Sequence, residues 1–529
     1  MRIIVKRIGF DVHRTELFHL LKLYYDNVDI AFEPADEANA FADEGTAADI
    51  ILTIKARADQ DGERTTCITA TAEMEIPAES KVRVKTHVRP VTLAGEEGFK
   101  RALKRAIGYT VLMLLQEETG IVQPWGSLTG VRPTKLVHNL LRSGTREDVL
   151  HTLQEDYLVT EEKARLVTEI AELQLKVIPD LYNLNREVSV YIGIPFCPTK
   201  CAYCTFPAYD IRGNNGSVAA FLEGLHYEIR ETGRWLKLNG LKITTLYWGG
   251  GTPTSIEAEE MDALFAELHR SFPGMSEVRE LTVEAGRPDT ITPDKLDVMK
   301  KWKVDRISIN PQSFTQATLD AIGRHHTVTE TVDKFLLARK MGLSNINMDL
   351  IIGLPGEGVE EYRHSLAETS KLLPESLTVH TLSFKRASRM TKNKDDYEVA
   401  ERDEISEMMH MTSEWTGEHG YKPYYLYRQK NILGNQENVG YSLLGKESLY
   451  NILMMEERQT IIGLGCGAVS KIVYPADFEE QAQDRQKIER FPNPKEPAAY
   501  NKAYKEYTEK KLALLSAAYM SKDRAPIGH

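Results

Sequence analysis

From Glu187 onward, apolar and polar positions fall into a repeating rhythm of strand, loop and helix. Apolar runs at about 188–194, 243–248, 280–285, 305–310, 345–352 and 376–384 predict strands. Between them, sets such as Met261, Leu264, Phe265 and Leu268, or Leu296, Met299 and Trp302, recur at the three-and-four spacing of an amphipathic helix. Alternation of this kind predicts an α/β fold, a parallel sheet with crossover helices, and six such units suit a partial (β/α)6 barrel over 187–400. Residues 1–95 instead mix short β-like runs with one helical stretch, which predicts an N-terminal α+β domain. Residues 96–186 are helical in pattern, with Phe99, Leu103, Ile107, Val111 and Leu114 on one face, and end in a linker. A loop at 123–135 interrupts them, marked by two prolines and two glycines. After about residue 400 the rhythm stops, and 401–529 reads as a mixed C-terminal domain expected to cover the substrate.

Composition changes this picture little. The chain has 529 residues, 42% hydrophobic and 27% charged, enough for several packed cores. A net charge of −11 argues against nucleic acid as a partner, while leaving room for a local basic pocket. No apolar run approaches the length of a membrane span, and the N-terminus lacks the apolar core of a signal peptide. Five cysteines without a secretion signal do not suggest a disulfide framework, and free thiols fit a reducing cytoplasm.

Three of those cysteines, Cys197, Cys201 and Cys204, form a C-x3-C-x2-C loop at the end of the first barrel strand. Three thiolates on one tight loop can hold three irons of a [4Fe–4S] cluster and leave the fourth open to a small molecule. A structural zinc site prefers four ligands, and Cys67 and Cys466 are both distant in sequence. In barrels of this kind, functional groups gather where strands run out into loops. Tyr191 lies in the first strand. The second strand runs into Gly249-Gly250-Gly251-Thr252, where consecutive glycines admit close approach of a ligand or merely make a tight turn. The third ends in Glu284, a carboxylate that needs a ligand or a salt bridge, with Arg306 as a candidate partner. The fourth ends in Asn310 and Gln312, followed by Arg324, His325 and His326. The fifth carries Asp349, and Lys385, Arg386 and Arg389 lie beyond the sixth.

Taken together, the cysteine loop, Gly249–Thr254, Glu284, Gln312, Arg324, Asp349–Pro355 and Gly463–Ser470 resemble the radical S-adenosylmethionine superfamily. More narrowly they resemble the oxygen-independent coproporphyrinogen III oxidases, in a bacterial branch with an N-terminal extension. The resemblance implies that Cys197, Cys201 and Cys204 hold a [4Fe–4S] cluster. It implies that Tyr191, Gly250, Gly251, Thr252, Glu284, Gln312, Arg324 and Asp349 surround one or two molecules of S-adenosylmethionine. Glu284, Gln312 and Arg324 are the residues it brings nearest the chemistry. The implied reaction converts two propionates of coproporphyrinogen III to vinyl groups through a 5′-deoxyadenosyl radical, with flavodoxin or ferredoxin as electron donor. The substrate's carboxylates call for cations, and Arg386, Arg389 and Arg428 are the candidates. Two departures stand out: Gly193 occupies a position where many relatives have His, and Phe206 one where a major branch has a further Cys. Relatives also include a haem chaperone, for which Met408, His410, Met411 and His419 are possible axial ligands, and methyl-transferring enzymes that act on tetrapyrroles.

Overall fold

The computed structural model describes all residues except 11–12, 26–27, 34–47, 62–64, 92–94, 131, 214, 386–387, 393–396, 431, 475–486 and 521–529. The chain divides into two compact units, Met1–Pro133 with Ser143–Thr168, and Thr134–Arg142 with Glu169–His529.

In the first unit, β1 (Arg2–Ile8), β2 (Asp29–Phe32), β3 (Ile50–Asp61), β4 (Thr65–Ile76) and β5 (Lys81–Pro90) form one sheet in the order β2-β1-β3-β4-β5. Alternation along the strands turns Leu52, Ile54, Ile68, Ala70 and Met74 into a core shared with the helix Gly95–Thr119. That helix contributes Leu103, Ile107, Val111 and Leu114, as its periodicity predicts. The edge strand β5 inverts the usual pattern. Lys81 and Arg83 turn inward to Glu118, while Val82, Val84 and Val88 face outward, each 55% exposed.

The second unit is built on β6 (Glu187–Ile194), a short pair β7 (Phe196–Cys197) and β8 (Tyr209–Asp210), then β9 (Lys242–Gly250), β10 (Glu280–Glu284), β11 (Arg306–Ser308), β12 (Ile346–Ile352) and β13 (Ser376–Thr381). Strands β6, β9, β10, β11, β12 and β13 lie side by side, each parallel to the next. Helices Val218–Leu238, Ala258–Ser271, Pro293–Lys301, Val328–Lys340 and Val359–Leu372 fill the connections. Several start on side-chain caps that the sequence supplies, as Ser217, Thr292 and Thr327 each accept a hydrogen bond from a backbone N–H of the first turn. This is the predicted partial (β/α)6 barrel.

Its sheet stays open and is longer than the rhythm suggests. Residues after 400 supply β14 (Lys422–Tyr427) and β15 (Asn438–Ser442), which extend it antiparallel beyond β13. They also supply β16 (Thr460–Gly465), which pairs parallel to β6, followed by β17 (Val469–Val473) and β18 (Ile488–Pro492). The glycines of β16 explain the glycine at 193. Gly193 pairs with Gly465, and a Cβ on Gly193 would lie 3.2 Å from the Cys466 carbonyl and 3.3 Å from the Tyr191 ring. A side chain there would need those neighbours to give by a few tenths of an ångström.

Candidate functional site

One cavity opens where the six parallel strands end. Its wall includes all three loop cysteines, Gly250, Gly251 and Thr252 after β9, Glu284 at the end of β10, Gln312 and Arg324 after β11, and Asp349 in β12. These residues come from five strand ends spread over more than 150 positions of sequence, and the parallel register brings them together.

The cysteines are free thiols. Burial pushes the Cys197 thiol up to about 11, against a contact of 3.2 Å with the Thr252 hydroxyl that favours the thiolate. Burial also raises Cys204, with the neighbouring Cys201 sulfur acting in the same direction. Thiols packed this way gain by binding metal, which takes them as thiolates. Among the described residues no three His, Cys, Asp or Glu side chains converge on a single point. Thiolates that each bind a different iron of a cluster need no such convergence.

The glycines earn their places by steric necessity. Gly250 has φ +111°, and a Cβ there would lie 2.8 Å from the Ile194 carbonyl. A Cβ on Gly251 would lie 2.6 Å from the Phe196 carbonyl, so this turn lies flat against the strand that launches the cysteine loop.

Glu284 accepts a hydrogen bond of 2.6 Å from the Tyr247 hydroxyl. Desolvation raises its carboxyl to about 7, with Tyr247 opposing and Asp349 reinforcing the shift. The partnership with Arg306 expected from sequence does not form. Arg306 instead binds Asn347, Ser376 and the Lys446 carbonyl. Asp349 is held at 2.7 Å by both Asn310 and Asn347, with His380 Nε2 3.6 Å away. Gln312 adopts φ +67°, a conformation unfavourable for a residue with a Cβ. Two backbone bonds to β12 hold it there, Gln312 N to the Asp349 carbonyl (2.9 Å) and Ile351 N to the Gln312 carbonyl (3.0 Å). Arg324 is buried and donates to the Gly286 carbonyl (2.6 Å), but its Nε has no partner, nor does the buried Oδ1 of Asn310. Unsatisfied polar atoms, a strained backbone and thiols on one cavity wall are what a polar ligand would relieve.

Other expected residues lie elsewhere. Tyr191 does not line the cavity but stacks beside Tyr247 and Tyr450 behind Glu284, with ring centroids 6.1 and 6.3 Å apart. Arg428 is buried and donates to Asn435, with its guanidinium pushed down to about 10 by burial. Arg389 is exposed and outside the lining, and Arg386 lies outside the described residues. His325 is exposed, and His326 is buried with neither ring nitrogen partnered. Met408, His410, Met411 and His419 are absent from the lining. His410 pairs with Glu414, and His419 stacks on Trp415. Lys135, which the sequence assigns to a loop, lies in the helix Pro133–Leu141 and pairs with Glu457 at 3.2 Å.

The lining also holds Lys385, which the sequence places beyond the sixth strand, and residues that pattern reading passes over: Arg287, His380, Tyr427 and Gln429. Arg287 is bidentate to Asp289 (3.0 and 2.7 Å) and donates to Thr199 in the cysteine loop (3.0 Å). Its only sequence signal is a cation just past the carboxylate of a strand end.

Comparison with known proteins agrees with this geometry. Residues 191–368 match the model of the radical SAM superfamily. The oxygen-independent coproporphyrinogen-III oxidase-like protein HemZ of Bacillus subtilis is 60% identical over 425 residues, 80% of this chain and 83% of that protein. The chain belongs to this family of radical SAM proteins. The heme chaperone HemW of the same organism is 30% identical over 282 residues, 53% of this chain and 70% of the chaperone. A solved structure of Escherichia coli coproporphyrinogen III oxidase (HemN) aligns at 20% identity with a TM-score of 0.49, over 64% of this chain and 73% of that one. Radical SAM proteins work with a [4Fe–4S] cluster and S-adenosylmethionine, and the free thiols and the unpartnered Arg324 and Asn310 atoms suit these groups. No helix among the described residues is long and apolar enough to cross a membrane.

Proposed function

We propose that this protein oxidatively decarboxylates two propionate side chains of coproporphyrinogen III, giving the vinyl groups of protoporphyrinogen IX. The observation that carries this reading is the meeting, in one cavity, of three free thiols, two carboxylates and cations in a chain 60% identical to a coproporphyrinogen-III oxidase-like protein. Cys197, Cys201 and Cys204 would hold the cluster, and Gly250, Gly251, Thr252, Glu284, Gln312, Arg324 and Asp349 would surround S-adenosylmethionine. Together these groups supply, when bound, one-electron chemistry able to remove a hydrogen atom from an unactivated carbon.

The chain's own residues do the rest. Glu284, ionised above about pH 7, offers its charge to an ammonium or to ribose hydroxyls, and Tyr247 fixes its orientation. Asn310 and Asn347 hold Asp349 with both oxygens engaged, so it is aimed before any ligand arrives. The left-handed Gln312 presents its amide from a backbone that cannot relax without breaking the β12 contacts. A flavodoxin or ferredoxin is the expected electron donor.

The test is anaerobic turnover of the reconstituted protein with reductant, S-adenosylmethionine and coproporphyrinogen III, read by mass spectrometry. Protoporphyrinogen appearing with 5′-deoxyadenosine supports the reading. Unchanged porphyrin sinks it in favour of haem handling, which the 30% identity to a heme chaperone makes the second reading. Haem titration of the same sample then decides between them.

A further inference from the structure

Resting on that reading of the substrate, we infer that Lys385 is the cation that receives a propionate carboxylate. Three cations line the cavity, and two are already committed. Arg287 is spent on Asp289 and Thr199, and Arg324, tied to the Gly286 carbonyl with its Nε open, belongs to the set assigned to S-adenosylmethionine. The Lys385 ammonium makes no hydrogen bond and no ion pair among the described residues; it lies near the Cys204 thiol and is only partly exposed on the cavity lining. The cavity's carboxylates do not serve it, because Glu284 is held by Tyr247 and Asp349 by two asparagines.

A half-buried ammonium without a partner is unfavourable unless an anion completes it. The cavity also sets the anion's character. Two carboxylates on the wall repel an acidic ligand, so its carboxylates are drawn to whatever positive charge the lining leaves open. Lys385 lies a short way past the end of β13, near Cys204, on the same cavity lining as the thiols. Phe206, 58% exposed, offers an apolar plate on the same lining for the flat body of such a ligand. The three arginines suggested by sequence do not compete on the described geometry: Arg428 is paired, Arg389 lies off the lining, and Arg386 is outside the described residues.

The experiment titrates the cluster-loaded protein, anaerobically and in the dark, with coproporphyrin III and with its uncharged tetra-amide, following porphyrin fluorescence. Wild type should prefer the free acid by about 10- to 100-fold, the range expected of a charge-assisted contact. Lys385→Met should lose that preference while binding the tetra-amide as wild type does, and Lys385→Arg should recover most of it. Equal tetra-amide binding is the control for folding. A Lys385→Met protein that keeps the wild-type preference overturns the inference alone. A wild-type protein with no preference for the acid overturns the substrate reading and this inference with it.

Discussion

Two places in the second unit bury charge, and they do so in opposite ways. At the end of β16, Glu228 and Lys511 form a fully buried ion pair at 2.7 Å. Glu228 also accepts from the Gly465 amide (2.6 Å), the Tyr500 hydroxyl (2.6 Å) and Asn493 (3.0 Å), and Lys511 donates to the Gly463 carbonyl (2.7 Å). Both charges are fully engaged within the chain, so the C-terminal helix Pro497–Met520 is locked to the sheet and the cluster has no capacity for a ligand. Around the cavity the same kinds of group are left short: Arg324 Nε and Asn310 Oδ1 lack partners, Lys385 has none, and Glu284 has only modest support. A satisfied buried network is architecture, while an unsatisfied one on a cavity wall is a place for something else.

The contrast can be broken most severely at the thiols. Replacing Cys197, Cys201 or Cys204 with Ala should abolish retention of iron by the reconstituted protein and all product formation, with folding intact by circular dichroism. Normal iron content in such variants would remove the cavity's claim to be the cluster site. On the architectural side, Lys511→Met strands the Glu228 carboxylate in a dry interior and should cost about 3–5 kcal/mol of stability. Urea unfolding measures this, and a loss under about 1 kcal/mol would mean that the pair is not the lock described.

A third effect is pH dependence. The folded pKa of Glu284 is raised, from 4.5 to about 7, so between these values the folded protein holds a proton that the unfolded chain has released. Stability of the unloaded protein should therefore fall as pH rises from about 4.5 to about 7, by up to about 3 kcal/mol. Glu284→Gln should flatten that slope, and affinity for S-adenosylmethionine should rise over the same window as the carboxylate ionises. An unchanged slope in the Gln variant would show that Glu284 is solvated like an ordinary carboxylate. The smallest effect belongs to Tyr247→Phe. Loss of its hydrogen bond removes about 1 kcal/mol from the ionised form of Glu284 and should shift the binding midpoint to higher pH. A midpoint that stays in place or moves down would contradict the assigned direction of that bond.

The parallel half of the fold was legible because each of its strands is an apolar run closed by a turn. Five cavity elements were legible: the cysteine loop, Gly250–Thr252, Glu284 and Gln312 because each interrupts such a run at or just past its end, and Asp349 because it is the one charge inside such a run. The polar partners were harder to read. Arg306 seemed a fair mate for Glu284 on charge alone, yet the register places it against Asn347 and Ser376. Arg428 seemed available for substrate, but its strand delivers it to Asn435. Nothing in the local pattern distinguishes a lysine without a partner at 385 from an arginine buried at 428, because the difference lies in which distant atoms arrive beside them. The strands after residue 400 were missed for a related reason, since they pair with barrel strands distant in sequence, β15 with β13 and β16 with β6, the latter across more than 250 residues.

The sequence by itself determined the strand and helix rhythm, the three-thiol loop and the order of the polar residues that end the strands, because these depend on side-chain periodicity and local spacing. Only the tertiary structure decided which charges are satisfied and which are left open, because hydrogen bonds and ion pairs form between atoms brought together across the sheet. That distinction separates the Glu228–Lys511 lock from the cavity, and it picks out Lys385.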